Sequence, residues 1–325
     1  ESFPVGKVTY LDMYPMSFEE YLTARTGEMV KTSYLGALTT HISSAALHEK
    51  LMRYLKEYWV IGGMPRVIST FLASSARPIE GYADARGMQY ELLRDYGSDF
   101  SKHAGKQNAR HIRYVFENIP RQLAASVDTS TSRYHFKNVI PGKKGFGALE
   151  GPVSWLEHAG LIYKVPIVNR AELPLKAFTR HNIFKLQLFD IGLVGAMLEL
   201  PAKTILENNY GITKGYYAEA FVMGELQKSL AGTIYSWKER NSEIEYLTTI
   251  GDTIVPIEVK ASNRTKAKSL TQFLLKYNPS LAIKLLDEPL RPREEKVVWH
   301  VPLYFAGNLP ELIEQNVNEC ISGSV

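Results

Sequence analysis

Two carboxylates and a lysine, Glu245, Glu258 and Lys260, stand on consecutive strand-like runs, 243–250 and 253–261, of a 325-residue chain. Side chains alternate across a strand. Glu243 and Glu245 therefore share one face of the first run, and Glu258 stands beside Lys260 on the second, with Ile257 and Val259 turned to the buried side. Two adjacent strands can bring Glu245, Glu258 and Lys260 to one point. That set suits magnesium-assisted phosphodiester hydrolysis: hard carboxylate oxygens hold Mg²⁺, the metal polarises the phosphate and activates water, and the lysine adds positive charge or positions the nucleophile. Glu219, on a helix predicted over 216–230, is the candidate fourth member. Beyond Lys260 come Arg264, Lys266, Lys268, Lys276 and Lys284, with no acid before Asp287. A tract of that sign suits a nucleic-acid backbone. Alone, a Glu-x-Lys pair on a strand reads as a solvated ion pair and a basic tract as a wet helix face, so the weight rests on their combination.

The elements that must position these residues follow an α-β-β-β-α-β order after about residue 203: a helix over 216–230, strands over 234–238, 243–250 and 253–261, a helix over 269–276 and a strand over 281–286. A strand over 297–305 and a helix over 310–320 close the chain. Upstream, Ser17-Phe18-Glu19-Glu20 is a capping box that starts a helix running to about Gly27. After a polar stretch, a helix is predicted over 43–59, a break at Gly62-Gly63-Met64-Pro65, and helices over 80–100 and 108–126. A short strand over 133–139, a turn over 141–145, a helix over 153–158 ending at Gly160, strands over 161–165 and 184–190, and a helix over 191–199 give a winged-helix order. The expected fold class is α+β and multidomain, divided at 1–40, 41–130, 131–202 and 203–325.

Composition narrows the classes. With 45% hydrophobic and 22% charged residues the chain is globular, not disordered or fibrous. A net charge of +4 is too mild to announce a nucleic-acid or membrane surface by itself. Cys320 is the only cysteine, which excludes an internal disulfide and points to a reducing compartment. No apolar run approaches the ~18–20 residues of a spanning helix, and no signal peptide is visible. A soluble, cytoplasmic protein without membrane partners is expected. The eight histidines are scattered, without zinc-type spacing. Glu1 in place of a start methionine, with strand-like residues already at 7–11, leads to the expectation of a piece of something longer.

A family resemblance joins these motifs. Gly215-Tyr216-Tyr217-Ala218-Glu219-Ala220-Phe221-Val222-Met223-Gly224-Glu225-Leu226, with Ile234-Tyr235-Ser236-Trp237, Glu243-Ile244-Glu245-Tyr246 and Pro256-Ile257-Glu258-Val259-Lys260, resembles the C-terminal domain of unknown function attached to bacterial and archaeal AAA+ ATPases. That domain looks like a restriction-endonuclease, PD-(D/E)xK fold. Val5-Gly6-Lys7-Val8 and Leu11-Asp12-Met13-Tyr14-Pro15-Met16-Ser17-Phe18-Glu19-Glu20-Tyr21-Leu22 resemble the end of the ATPase module, and 58–65 its helical continuation. Residues 155–164 and 185–193 resemble the family's winged-helix region. The resemblance implies metal ligation by Glu245 and Glu258, assistance by Lys260, support from Glu219, and ATP binding in a module N-terminal to these residues. Two departures stand out. Family members commonly carry Asp where this chain has Glu245, and the extra methylene moves a ligand by ~1.5 Å. No G-x-x-x-x-G-K-[ST] loop occurs; Pro141-Gly142-Lys143-Lys144-Gly145-Phe146-Gly147 lacks its spacing and reads as a basic turn.

The winged-helix candidate, 145–160, holds Glu150, Glu157 and His158 but no Lys or Arg, which suits a structural or protein-docking role better than base reading. Tyr216, Tyr217, Tyr235, Trp237 and Tyr246 suit core packing first and base stacking second. The expected function is a nucleic-acid-associated module with a Mg²⁺-dependent nuclease-like site. The rival is a non-catalytic module that keeps the nuclease-like fold to dock DNA or a protein, and a third reading is a structural tail that sets oligomerisation.

Overall fold

The computed structural model describes all residues except 1–5, 7, 10, 75–76, 126–132, 210, 212, 262–267, 295 and 315–325. Helices come first: α1 (Phe18–Thr26), α2 (Glu28–Thr40), α3 (Ala45–Ile61), α4 (Pro65–Ala73), α5 (Pro78–Ala104), α6 (Lys106–Ala125) and α7 (Glu150–His158). A hairpin of β1 (Ile162–Val168) and β2 (Thr179–Leu188) leads to α8 (Ile191–Met197) and α9 (Ala202–Leu206). Then come α10 (Thr213–Ser229), β3 (Tyr235–Glu239), β4 (Ser242–Ile250), β5 (Thr253–Val259), α11 (Lys268–Tyr277), β6 (Ala282–Leu286) and β7 (Val298–Pro302). The class is α+β.

All seven strands join one mixed sheet in the order β2-β1-β3-β4-β5-β6-β7. β1 is antiparallel to β2 and parallel to β3; β3, β4 and β5 form an antiparallel meander; β5, β6 and β7 are parallel. The hairpin from 162–188 therefore shares its sheet with the strands after 235.

Local chemistry explains the elements that hold the site in place. The capping box forms, with Ser17 Oγ accepting from Glu20 N at 3.2 Å and Glu20 Oε2 accepting from Ser17 N at 2.7 Å. The same helix start is held from across the chain: Glu225 on α10, nearly fully buried, accepts from Phe18 N and pairs with Lys228 at 2.9 Å. α10 is thus fastened at its C-terminal half to the N-terminal helices. Asp190 plays a similar part for α8. Its Oδ1 caps Leu193 N at 2.9 Å while its Oδ2 accepts from Gly63 N at 2.7 Å, joining the Gly62–Gly63 break to the end of β2. At Gly192 a Cβ would stand 2.4 Å from Ile61 O, so only glycine permits the approach of α8 to the end of α3.

Three predicted elements differ. No strand forms over 133–139: Asn138 takes a left-handed φ of 65°, and the chain bends and turns, leaving one sheet-like bond from Tyr134 N to Phe184 O. The run predicted over 297–305 stops as a strand at Pro302, and Leu303–Asn308 coil into a 3₁₀ segment. Val8, Thr9 and Leu11 form no strand, while Lys7 and Tyr10 lie outside the described residues. The polar stretch after Gly27 is helical as α2, with Val30, Tyr34, Ala37 and Leu38 buried on one side. Leu156, Leu161 and Ile162 are core, and Trp155 packs edge-on against Phe100. Beyond β7, residues 309–314 are helical; the rest of the predicted last helix, with Cys320, lies outside the described residues.

Candidate functional site

Glu245, Glu258 and Lys260 meet where β4 and β5 part. The paired residues run from Ile250↔Thr253 to Tyr246↔Ile257. Past that pair, Val259 N donates to Glu245 Oε2 at 3.2 Å in place of a β4 carbonyl, and Lys260 N donates to Leu285 O at 2.8 Å. β5 thus stays with β6 while it leaves β4, and the side chains at the fork turn toward one another. Lys260 Nζ lies 2.7 Å from Glu258 Oε1 and 3.5 Å from Glu245 Oε1. Ile257 and Val259 are buried in the core on the other side, as alternation requires. Glu258 is only 1% exposed and its Oε2 has no hydrogen-bond partner among the described residues.

Glu219, on α10, lies within electrostatic reach of Glu245 and Lys260. Its backbone carbonyl accepts from Tyr246 Oη at 2.9 Å, and its side-chain Oε2 is buried without a hydrogen-bond partner among the described residues. Burial pushes its pKa up to about 7; the charge of Lys185 opposes the rise, and those of Glu245 and Glu243 add to it. Burial also raises Glu245, against the pull of Lys260 and with the push of Glu258. Burial acts to lower Lys260, but Glu245 and Glu258 outweigh it and hold its ammonium above the ordinary lysine value.

A second charge pair, absent from the sequence reading, adjoins the first. Lys185 on β2, 2% exposed, forms an ion pair with Glu243 Oε1, and Lys238 on β3 lies 3.4 Å from Glu243 Oε2. Burial would depress Lys185, yet Glu243 and Glu219 overcome it and keep the amine charged. Gln187, two residues along β2, donates to Tyr246 Oη at 2.8 Å. Glu243 and Glu245 therefore engage different lysines, Glu243 with Lys185 and Lys238 and Glu245 with Lys260. The irregular register between Tyr235↔Leu247 and Trp237↔Ile244 breaks simple alternation in this stretch of β4.

The raised Glu219 gives a pH signature with a definite sign. The folded chain binds its proton more tightly than the unfolded chain, whose value is near 4.5. This group's contribution is therefore complete below pH 4.5 and is lost as pH rises toward 7, on the order of 3 kcal/mol over that window. The Glu219→Gln variant should lose that slope. Urea unfolding of both proteins at pH 5 and pH 8 checks it; parallel pH dependences would remove Glu219 from the account.

Of the basic tract, Lys268, Lys276 and Lys284 lie among the described residues. Lys268 is exposed at the start of α11, and Lys276 forms an ion pair with Glu239. Arg264 and Lys266 lie outside the described residues. Tyr216, Tyr217, Tyr235, Trp237 and Tyr246 are all buried, and Trp237 packs edge-on against Phe273 at 5.1 Å, so these rings are core. The turn at Pro141–Gly147 exposes Lys143 and Lys144, with Gly142 at a φ of 77°. Among the described residues no group of three or more His, Cys, Asp or Glu side chains is arranged to hold a metal ion. No described helix is long and apolar enough to cross a membrane.

Comparison with known proteins yields two family matches. Residues 52–204 match a domain of unknown function, DUF8612, and residues 214–304 match a second domain of unknown function, DUF4143. The second contains Glu219, Glu245, Glu258 and Lys260; the first contains Lys185. No curated protein and no solved structure matches the chain.

Proposed function

We propose that the chain is a nucleic-acid-associated portion of a cytoplasmic AAA+-type ATP-binding protein, and that the residues after about 203 form a PD-(D/E)xK-like domain with a magnesium-dependent nuclease-like centre. The observation that carries this reading is the meeting of Glu245, Glu258 and Lys260 at the β4–β5 fork. The order α10-β3-β4-β5-α11-β6, with an antiparallel meander followed by a parallel strand, supports the fold assignment. The motif resemblance at 5–22 supports the wider assignment, with ATP bound by a module other than these residues. The α7–β1–β2 segment is the winged-helix-like part, in a structural or docking role.

The residues fit a hard cation. Mg²⁺ commonly takes one or two carboxylates and keeps several waters; Glu258 Oε2 is without a hydrogen-bond partner among the described residues, and Lys260 reaches both carboxylates. Glu245 and Glu258 would hold the ion. When bound, it supplies charge to polarise a phosphate and a water of lowered pKa. Lys260, already between the two carboxylates, screens them from each other and adds positive charge where a phosphate would approach. Glu219 supplies a buried carboxyl that titrates near neutrality behind them.

A second reading has its own observation. Lys260 neutralises both carboxylates and Glu258 is almost wholly enclosed, which suits a module that keeps the framework to dock DNA or a protein. Gel retardation with single-stranded, duplex and branched DNA, with Mg²⁺ or with EDTA, tests both. Retarded complexes in EDTA and cut DNA in Mg²⁺ are expected. Retardation without cutting selects the docking reading, and no retardation at all removes nucleic acid as the partner.

A further inference from the structure

β1 lies between β2 and β3, and its register with β2 slips where its pairing with β3 begins. Up to Pro166 it pairs with β2, whose matching residue is Phe184; at Val168 the partner on β2 has jumped to Thr179. Residues 180–183 of β2 are thereby left facing one residue of β1, Ile167, which pairs with Ser236 of β3. That stretch of β2 has no partner in the β1 register. The space beside it is a cavity of about 360 Å³, within the range of small-ligand sites.

Its lining joins apolar and cationic side chains. Ile167, Ile183 and Phe178 supply the apolar surface, Arg133, Arg180 and Lys238 the charge, and among the described residues no carboxylate lines it. Arg133 and Arg180 have no ion-pair partner among the described residues. They come from separate segments, so no helix or strand repeat explains their meeting. Lys238 also reaches Glu243 Oε2 at 3.4 Å, which sets the cavity beside the buried Lys185–Glu243 pair. Guanidinium groups present paired donors matched to phosphate oxygens. Phe178, which has the Arg170 guanidinium 6.0 Å from its ring centre, supplies an aromatic ring on which a base can stack.

We infer that this cavity seats one nucleotide, its phosphate on Arg133, Arg180 and Lys238 and its base against Phe178 and Ile183. The choice of a nucleotide over other phosphate esters rests on the nucleic-acid reading of the chain; the cavity and its charge do not. The shared chemistry is a base carrying a phosphate, supplied either by a free nucleotide or by a single strand.

Fluorescence anisotropy with a labelled oligothymidylate, in EDTA so that nothing is cut, reads the seat directly. Arg133→Gln with Arg180→Gln should weaken binding by about tenfold or more, since two charge-assisted contacts are lost. Phe178→Ala should weaken it at least about fivefold through lost stacking. Lys203→Gln, at an exposed α9 residue paired with Glu207 just past the helix, should leave it unchanged, and circular dichroism confirms that each variant folds. Competition by thymidine monophosphate identifies a free-nucleotide seat; competition only by unlabelled oligothymidylate identifies a strand seat. Binding that is unaffected by all three cavity substitutions overturns the inference even where Mg²⁺-dependent cutting is observed. Loss of binding in these variants upholds it even where cutting is absent.

Discussion

Replacing Lys185 with methionine is expected to destabilise the fold by about 3–5 kcal/mol, the usual cost of leaving a buried carboxylate without its principal counter-charge. Methionine keeps most of the apolar stem, so the loss comes from charge and not from a void. Glu243 would retain only Lys238, at 3.4 Å and on the more exposed side. Its neighbours Glu219 and Glu245 would also lose a positive charge that now opposes their burial. Adding Glu243→Gln to Lys185→Met should recover much of the loss, because a buried pair replaced on both sides is often nearly neutral. Urea unfolding of the two single variants and the double variant gives the coupling. A single variant that unfolds with the wild-type midpoint would show that the pair contributes no net stability.

Which parts of this centre could be read beforehand follows from how local each signal is. Glu258 and Lys260 are two apart on one strand, so alternation alone puts them together, and the observed 2.7 Å contact needs no distant partner. The Ser17–Glu20 box is equally local. Lys185 and Gln187 carried no such signal. They alternate with Phe184, Leu186 and Leu188, the pattern of a strand with one wet face. That face is buried because a sheet order of β2-β1-β3-β4 and contacts with Glu243 and Tyr246 cover it, and those partners lie about sixty residues away. α2 was legible in period, with Val30, Tyr34, Ala37 and Leu38 at helical spacing. Its serine, glycine and threonines lower local helix propensity, and packing supplies what propensity does not. The strand expected over 133–139 failed for the opposite reason: suitable residues met a left-handed turn at Asn138 and made a single bond to β2.

If DNA cutting is observed, Glu258→Gln and Lys260→Ala should each reduce it by about two to three orders of magnitude, the scale on which one preorganised charge or donor acts in a dry site. The two losses have different physical origins. Glu258→Gln keeps the shape and removes the anionic oxygen that a hard cation needs, so raising Mg²⁺ should recover part of the rate. Lys260→Ala removes the positive charge and leaves Glu245 and Glu258 facing each other at the fork, so metal should not restore it. Glu245→Asp acts in the other direction: it draws the carboxylate back by ~1.5 Å, toward the ligand length common in the resembling family, and should raise the rate. Single-turnover cleavage across a Mg²⁺ titration separates these outcomes. Cutting that persists at the wild-type rate in both Glu258→Gln and Lys260→Ala would place the chemistry elsewhere, because a cation site at this fork needs the first group and a phosphate site the second.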